Sequence, residues 1–167
     1  MIFIALGANL PTREFGPPRR TLEEALRRLA AGGCRIVASS QWYQTTPMPP
    51  SGQPLFVNAV VAVESQLTPE ALLALLHDIE ASLGRVRSMP NAARTVDLDL
   101  LAYGNEVRQD GPPPQLPHPR MLERRFVMQP LCDIAPDWHH PITGRTAKNH
   151  LADLPPDPAM NRDPEPL

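Results

Sequence analysis

Two acidic residues in an otherwise apolar segment give the sequence its clearest chemical signal. Asp97 and Asp99 alternate with valine and leucine between residues 95 and 101. In a β-strand, side chains two positions apart share a face, so the two carboxylates would project opposite the leucines with their Cα atoms about 6.5 Å apart. Like charges on one face repel, and Mg²⁺, which takes one or two carboxylates with phosphate oxygens and water, would relieve that repulsion. On these residues alone, a site for two magnesium ions and a solvated edge strand are equally favoured.

Several arginines surround the acidic segment and shift this balance. Planar guanidinium groups bind two phosphate oxygens at once, and acidic metal ligands among arginines are what ATP chemistry requires. The sequence has no P-loop motif and no kinase Gly-rich loop, so metal and arginine would have to hold the phosphates. For any single arginine, an ordinary solvated charge is the simpler interpretation. The arginines concerned are Arg85, Arg87, Arg94, Arg120, Arg124 and Arg125.

A second group of residues predicts a pocket for a flat heterocycle. Phe56 and Asn58 alternate on one face of a predicted strand, which pairs an aromatic plane with an amide. An amide in an apolar strand must be hydrogen-bonded, and its donor and acceptor suit the edge of a heterocyclic ring. Phe126 could cover the opposite ring face, and the stiff loop over residues 45–50 could add main-chain contacts. The alternatives are plain core packing for the aromatics and a satisfied core amide for Asn58.

His77 and Glu80 lie three positions apart on a predicted helix. Such a pair could bind a metal or a nucleotide, but an ordinary surface pair is the default interpretation.

Bulk composition narrows the function classes. The 167 residues suit one domain, and a net charge of -2 gives no electrostatic case for nucleic acid or an anionic membrane. No apolar run reaches the roughly 20 residues that span a bilayer, and the N-terminal segment is typical of a strand, not a signal peptide. Cys34 and Cys132 lie far apart, as expected for reduced thiols in a cytoplasmic protein. We expect a monomer.

Hydrophobic periodicity predicts alternating strands and helices. Strands are predicted over residues 2–6 (ended by a turn at Gly7), 36–43, 56–63 and 95–103, with partial helix over 121–131. One helix has a capping box at Thr21 and Glu24, and another begins at Thr68 and ends at Gly84. This order favours an α+β fold, a ferredoxin-like split βαβ sandwich with long Pro-rich loops. Residues 1–154 would form the single domain and residues 155–167 a loose Pro-rich tail.

Five motifs follow one another along most of the chain. They are Ile4-Ala5-Leu6-Gly7-Ala8-Asn9-Leu10; Phe56-Val57-Asn58-Ala59; Ile79-Glu80 with Gly84-Arg85-Val86-Arg87; Ala93-Arg94-Thr95-Val96-Asp97-Leu98-Asp99; and Leu116-Pro117-His118-Pro119-Arg120 leading to Phe126 and Pro130-Leu131. In these the chain resembles the 6-hydroxymethyl-7,8-dihydropterin pyrophosphokinases of folate synthesis, from residue 2 to about residue 154. The resemblance implies a ferredoxin-like fold and transfer of the β,γ-diphosphate of ATP to a reduced pterin alcohol, leaving AMP.

The resemblance also implies residue roles by matching positions. Asp97 and Asp99 would bind two Mg²⁺ ions and, with Arg87 and Arg94, form the catalytic set. The pterin would be held by Thr45, Thr46, Met48, Phe56, Asn58, Asp97 and Phe126. ATP would be bound by His77, Glu80, Arg87, Arg94, Leu100, His118 and Arg124. His77 stands where glutamine is usual in the family, and Phe56 where tyrosine is frequent.

The loop before the acidic strand departs from the family pattern. The family often has Trp-Gly-Pro before the arginine, whereas this chain has Asn91-Ala92-Ala93 and is one residue shorter. We nevertheless expect residues 86–94 to close over the phosphates through Arg87 and Arg94 when both substrates bind.

Two other function classes remain open from the sequence. One is another Mg-dependent phosphotransferase or phosphodiesterase that uses the same acidic pair on a different substrate. The other is a non-catalytic ferredoxin-like binding module. The lack of an aromatic RNA-binding strand and of a basic excess opposes an RNA-binding module.

Overall fold

The computed structural model describes residues 1–47, 49–86 and 93–163, which form a mixed α/β architecture: one antiparallel sheet with helices on both faces. In chain order the elements are β1 (Ile2–Ala8), α1 (Pro18–Ala31), β2 (Cys34–Ser39), β3 (Tyr43–Thr45), β4 (Phe56–Ser65), α2 (Pro69–Ser82), β5 (Asp97–Tyr103), a 3-10 turn (Met121–Glu123), α3 (Arg125–Ile134), α4 (Ala147–Asp153) and β6 (Asn161–Arg162).

The strands lie in the order β5-β1-β4-β3-β6, and β2 pairs with β4 beside β3. Each of these pairings is antiparallel. β4 therefore lies inside the sheet, and its long run of valine and alanine is buried on both faces. β5, which begins with the acidic pair, lies at one end of the sheet.

The predicted strand over residues 36–43 is two strands, β2 and β3, separated by residues 40–42. Ser40 explains the break, because its hydroxyl accepts the N–H of Val60 at 2.9 Å and donates to the carbonyl of Gln41 at 2.8 Å. A side chain here takes the place of a main-chain partner in the ladder. β3 then pairs separately with the start of β4 and leads into the loop that follows Thr45.

Alternate residues of the strands face two hydrophobic clusters. On one face, α1 and α2 cover residues such as Ile4 and Leu6. On the other face, α3 and α4 cover residues such as Phe3 and Val60. Asn58 shares this second face by alternation along β4, near the start of α3.

The two predicted helix starts have different outcomes. The prediction of a capping box at Thr21 and Glu24 is wrong. α1 already begins at Pro18, a favourable first helical residue, and Thr21 lies within the helix with its side chain fully buried. The cap of α2 is confirmed: Thr68 Oγ1 accepts the N–H of Ala71 at 3.2 Å.

Two predictions about chain segments are corrected by the sheet. Gly7 is not a turn residue; it lies within β1 opposite Asn58. The described part of the C-terminal segment is not loose, because β6 extends the sheet with Arg162 opposite Tyr43. The short helix α4 precedes this segment and was not predicted from the sequence.

Within the described ranges, every helix falls short of the length and apolar character needed to cross a bilayer. Cys34 is buried and Cys132 half-buried, and both are free thiols.

Candidate active site

β5 presents its two acidic side chains on one face, as their spacing predicts. Leu98 and Leu100 are buried in the cluster beneath α1 and α2, whereas the side chains of Asp97 and Asp99 keep 22% and 32% of their exposure. The neighbouring residue on β1 opposite Asp97 is Gly7, which leaves space above the sheet. Both carboxylates therefore line a cavity in which they are partly shielded from solvent, and they do not project into the core.

Two arginines hold the carboxylate of Asp97 between them. Arg85 Nη1 lies 2.6 Å from Oδ1, and Arg94 Nη1 lies 2.6 Å from Oδ2. Arg85 also binds the carboxylate of Glu80, which is buried on α2. Gly84, with φ of +86°, turns the chain at the end of α2 and so brings Arg85 back towards β5. Both guanidinium groups are thereby positioned where a phosphate near Asp97 could be bound.

Asp99 is in a different electrostatic environment. Burial raises its pKa to about 6, and the nearby charge of Asp97 adds to the rise. The positive charges of Arg124, Arg94 and Arg85 oppose the rise; Arg124 Nη1 lies 3.7 Å from Asp99 Oδ2. Burial and the charge of Asp97 together therefore outweigh the stabilisation of the Asp99 carboxylate by the arginines.

Asn9 fixes the segment that carries Arg94. Its Oδ1 accepts the N–H of Arg94 at 2.9 Å, and its own N–H donates to the Arg94 carbonyl at 3.1 Å. Its Nδ2 donates to Gln53 Oε1 and to the carbonyl of Pro54. One buried amide thus joins the end of β1 to the segments that precede β4 and β5, and keeps Arg94 near Asp97.

Asn58 lies across the sheet from the acidic pair. It is 6% exposed, and its Nδ2 donates to Thr45 Oγ1 at 2.6 Å. A Cβ atom at Gly7 would lie only 2.9 Å from Asn58 Oδ1, so glycine is needed for the amide to lie over β1. Thr45 accepts one of the two N–H donors of the Asn58 amide, and the amide group lies at the edge of the cavity.

The acidic pair and Asn58 line the same cavity of about 500 Å³, a size typical of small-molecule sites. The Arg124 guanidinium lies 5.7 Å from the ring centre of Phe126, which forms part of the wall. Of the residues predicted to bind substrate or metal, the cavity brings together Thr45, Thr46, Phe56, Asn58, Arg94, Asp97, Asp99, Arg124 and Phe126.

His118 lies beside β5, where its main-chain N–H donates a hydrogen bond to the Leu101 carbonyl at 2.7 Å. Burial lowers the pKa of His118 to about 4, the charge of Arg124 lowers it further, and the charge of Asp97 acts in the opposite direction. His118 is therefore neutral near pH 7 and can act as a hydrogen-bond partner without carrying charge.

The remaining predicted residues lie apart from the cavity wall or outside the described residues. The side chain of Leu100 is buried in the core, so any contact with ATP would involve its main chain. On α2, His77 is exposed but Glu80 is buried. The interpretation of these two residues as an ordinary surface pair is therefore wrong for Glu80. Met48 and Arg87 lie outside the described residues, as does most of the segment expected to form a lid.

Three contacts in the site were not predicted from the sequence. Arg85, considered there only as a candidate phosphate ligand, binds both Asp97 and Glu80; Asn9 holds Arg94; and Gly7, predicted to be a turn residue, makes room for Asn58. All three residues lie within the sequence motifs given above, and their place in those motifs is the one sequence feature that could have indicated a role in the site. Their roles depend on contacts between distant segments, which spacing along the chain does not reveal.

A second, more open cleft of about 710 Å³ lies beside β3 and the start of α1. Two of its charged residues, Arg19 and Asp163, pair with each other at 3.4 Å. Neither Asp97 nor Asp99 lines it, so the cavity at β5 is the candidate for chemistry.

Known proteins provide an independent comparison. Residues 3–136 match the family model described as 7,8-dihydro-6-hydroxymethylpterin-pyrophosphokinase. A 2-amino-4-hydroxy-6-hydroxymethyldihydropteridine pyrophosphokinase of Methylorubrum extorquens is 41% identical over 92% of this chain and 93% of its own length. The folic acid synthesis protein fol1 of Pneumocystis carinii is 38% identical over 90% of this chain, which spans only 20% of that relative.

Solved structures provide a comparison of fold. The crystal structure of wild-type Plasmodium falciparum HPPK-DHPS with pteroate matches with a TM-score of 0.68 and 13% identity. The match covers 90% of this chain and 41% of that protein. At this level of identity the likeness concerns the fold alone.

Proposed function

The chain belongs to the 7,8-dihydro-6-hydroxymethylpterin-pyrophosphokinase family, and from this premise we propose that the cavity bordered by Asp97, Asp99 and Asn58 is its active site. The enzyme is a diphosphotransferase that moves the pyrophosphoryl group of ATP to the hydroxymethyl group of 6-hydroxymethyl-7,8-dihydropterin in folate biosynthesis. One observation carries the assignment of the site: the carboxylate pair and the buried amide line one cavity.

The pterin binds at the Asn58 end of this cavity. The amide of Asn58, already oriented by Thr45 at 2.6 Å, reads the polar edge of the ring. Phe56 and Phe126 contact the ring faces, since both line the cavity. The resemblance adds Thr46 and Met48 through the loop after β3, and Asp97 at the hydroxymethyl end.

ATP binds at the arginine end. Arg94 and Arg124 line the cavity and can bind phosphate oxygens directly. Neutral His118 contributes hydrogen bonds without adding charge. Glu80 acts through Arg85, which it binds. The family resemblance assigns further ATP contacts to His77, Arg87 and the main chain of Leu100.

The residues present suit Mg²⁺. Burial, together with the nearby charge of Asp97, raises the pKa of Asp99 despite the nearby arginines, so a cation bound there would favour its charged form. Within the described ranges no third His, Cys, Asp or Glu completes a protein-only metal cage, and Mg²⁺ commonly combines one or two carboxylates with phosphate oxygens. Asp97 and Asp99 would hold the two ions with the phosphates of ATP. When bound, the ions would neutralise charge on the diphosphate.

Catalysis rests mainly on positioning and charge compensation. Asn58 and the aromatic walls orient the pterin so that its hydroxymethyl oxygen faces the β-phosphorus of ATP. Attack there forms the new O–P bond and breaks the bond between the β-phosphorus and the oxygen that bridges to the α-phosphate, so that AMP leaves and the hydroxyl proton is released to solvent. Arg85 and Arg94, with Arg87, stabilise the charge that develops on the phosphate oxygens. We assign no side chain as general base.

The finer architecture belongs to the same proposal. The order β1, α1, three strands (β2 to β4), α2 and β5, with β2 and β3 both paired to β4 in an antiparallel sheet, supports a ferredoxin-like split βαβ plan. We propose one pyrophosphokinase domain over residues 1–154, followed by a C-terminal segment over residues 155–167. The free thiols of Cys34 and Cys132 support a cytoplasmic location. We expect a monomer that binds ATP and the reduced pterin alcohol, and neither nucleic acid nor membrane.

Product analysis tests this function directly. The protein is incubated with ATP, Mg²⁺ and the reduced pterin alcohol, and the nucleotide and pterin products are separated. AMP and the pterin diphosphate should form in equal amounts. ADP or free phosphate as the main product would contradict diphosphoryl transfer, and pterin-independent phosphodiester hydrolysis would favour a phosphodiesterase.

A further inference from the structure

The C-terminal segment runs along the cavity after α4 ends. Residues 154–157 line it together with Thr45, Asn58 and Phe126. Arg125 Nη1 donates to the carbonyls of Leu154 at 3.1 Å and Pro155 at 3.3 Å, which fixes this part of the chain at the start of α3. The segment is therefore part of the cavity wall.

The end of the same segment is attached to β3. Asp163 N–H donates to the Trp42 carbonyl at 2.8 Å, and the Asp163 carboxylate lies 3.4 Å from Arg19. These contacts hold β6 from the side of the sheet that α1 covers.

Arg162 attaches β6 from the other side. Its Nε donates to Tyr43 Oη at 3.3 Å, and its Nη2 lies 3.7 Å from Asp133. Tyr43 Oη in turn donates to Asp133 Oδ2 at 2.7 Å, which connects β3 to α3. Side-chain and main-chain contacts thus hold β6 and β3 together on both faces.

β3 leads directly to the residues proposed to hold the pterin. Tyr43 and Gln44 pair with β6, and the next residue, Thr45, accepts the hydrogen bond that orients Asn58. We propose that the C-terminal segment is a positioning element of the pterin pocket: residues 154–157 form one wall, and β6 holds β3 in the register that places Thr45 against Asn58. This inference rests on the assignment of the pterin to the Asn58 end in the proposed function.

Loss of the β6 contacts should affect the binding of the pterin but not that of ATP, because different elements hold the two ends of the cavity. Arg85 and Arg94 are held by α2, by the end of β1 and by Asp97 on β5. β6 instead contacts β3, the start of α1 and α3. Releasing β6 should therefore weaken pterin binding and leave ATP binding nearly unchanged.

The test uses full-length variants and isothermal titration with the pterin alcohol, in the presence of Mg²⁺ and a non-hydrolysable ATP analogue. Arg162→Ala combined with Asp163→Pro removes both side-chain anchors and the N–H donor to Trp42. Arg35→Ala is the matched control. It removes an exposed ion pair between Arg35 on β2 and Glu64 on β4, along the same edge of β4 that pairs with β3 but away from the cavity. The double variant should bind the pterin roughly five- to thirtyfold more weakly, as expected for losing one or two hydrogen-bonded anchors. The analogue should bind within about twofold of wild type in both variants.

A second variant covers the case in which the double variant fails to fold. Arg125→Met keeps the length of the side chain, removes the donors to Leu154 and Pro155, and leaves β6 intact. It should weaken pterin binding about fivefold, as one lost hydrogen-bond donor predicts. Unchanged pterin affinity in the folded variants, or equal weakening of pterin and analogue, overturns the proposal.

Asn58→Ala, measured in parallel, separates this proposal from the one on which it rests. If Asn58→Ala loses pterin affinity while the C-terminal variants do not, the pocket assignment stands and the positioning role is wrong. If Asn58→Ala also binds the pterin normally, the pterin is not held at this end and both proposals fail.

Discussion

The two ends of the cavity are built on different physical principles. At the arginine end, proposed to bind the phosphates, side chains of opposite charge face each other: Arg85 and Arg94 already contact both oxygens of Asp97. At the Asn58 end, proposed to bind the pterin, the neutral amide of Asn58 donates to the neutral hydroxyl of Thr45 on the adjacent strand at 2.6 Å. In this proposal the ion pairs of the arginine end must rearrange when phosphate and metal bind, whereas the hydrogen bond at the Asn58 end is already formed.

This difference separates two kinds of catalytic contribution. In the proposed function, charged groups at the arginine end lower the barrier to reaction, because charge changes there during transfer. Neutral groups at the Asn58 end are proposed to select and orient the pterin, and so to contribute mainly to affinity. Variants at the two ends should therefore differ in which kinetic or binding constant they change.

The largest effect is expected at the acidic pair. Asp97→Ala or Asp99→Ala should lower kcat by roughly a hundred- to a thousandfold or more, since each removes an electrostatic contact to the reacting phosphates. Circular dichroism should show the fold retained. Asp137→Ala removes an exposed carboxylate paired with Lys148 and serves as the control. Near-normal turnover in either site variant would mean that these carboxylates are only a solvated strand face.

Arg85→Ala should lower kcat about a hundredfold and also destabilise the protein. Arg85 binds buried Glu80 as well as Asp97, and removing a partner from a buried polar group costs about 1–3 kcal/mol. Arg94→Ala should affect kcat similarly but stability less, because both members of its pair are partly exposed. Thermal unfolding of both variants measures the difference. Equal Tm values would refute the structural role of Arg85.

Asn58→Ala should raise the dissociation constant for the pterin roughly ten- to hundredfold, because an unpaired ring heteroatom costs about 1–3 kcal/mol. ATP affinity should change little. Calorimetry with each ligand provides the comparison, and Thr45→Val, which removes only the orienting hydroxyl, should lie between wild type and Asn58→Ala. Equal weakening of both ligands would identify Asn58 as a structural residue and remove the contrast between the two ends.

The smallest effect concerns the stability of the protein without metal. The pKa of Asp99 is about 6 in the folded protein and about 3.9 when unfolded. The folded state therefore binds more protons between these values, and the charged carboxylate lowers stability progressively as pH rises from about 4 to 6.

Asp99→Asn cannot ionise, so its Tm should exceed that of wild type by about 2–4 °C at pH 7.5, on the order of 1 kcal/mol. The two proteins should melt together at pH 4. Differential scanning calorimetry in chelator checks both conditions. A Tm difference that does not depend on pH would show that ionisation of Asp99 is not its source.

Local patterns predicted the elements whose signal is contained in a few adjacent residues. The alternation around Asp97 fixes which side chains share a face of β5, and Thr68 caps α2 because both partners lie within one turn. The capping box at Thr21 was wrong because the same local pattern can be overridden: Pro18 starts the helix earlier, and Thr21 is then needed in the core.

Non-local contacts account for what the sequence did not predict. The strand at β6 exists because Arg162 and Asp163 find partners on β3, α1 and α3 that are distant in sequence. Likewise, nothing near Gly7 in the sequence indicates that Asn58 will lie across it. Residue types and motifs thus predict which groups take part, whereas sheet pairing decides which of them meet.

The position of β5 at one end of the sheet has a consequence for solubility. An end strand with apolar side chains can pair with another molecule and start aggregation. β5 carries Asp97 and Asp99 at its start, and β6, the outer strand at the opposite edge of the sheet, is only two residues long. Charged side chains on such a strand discourage pairing between molecules, so we expect the residues proposed to bind metal also to limit aggregation at high concentration.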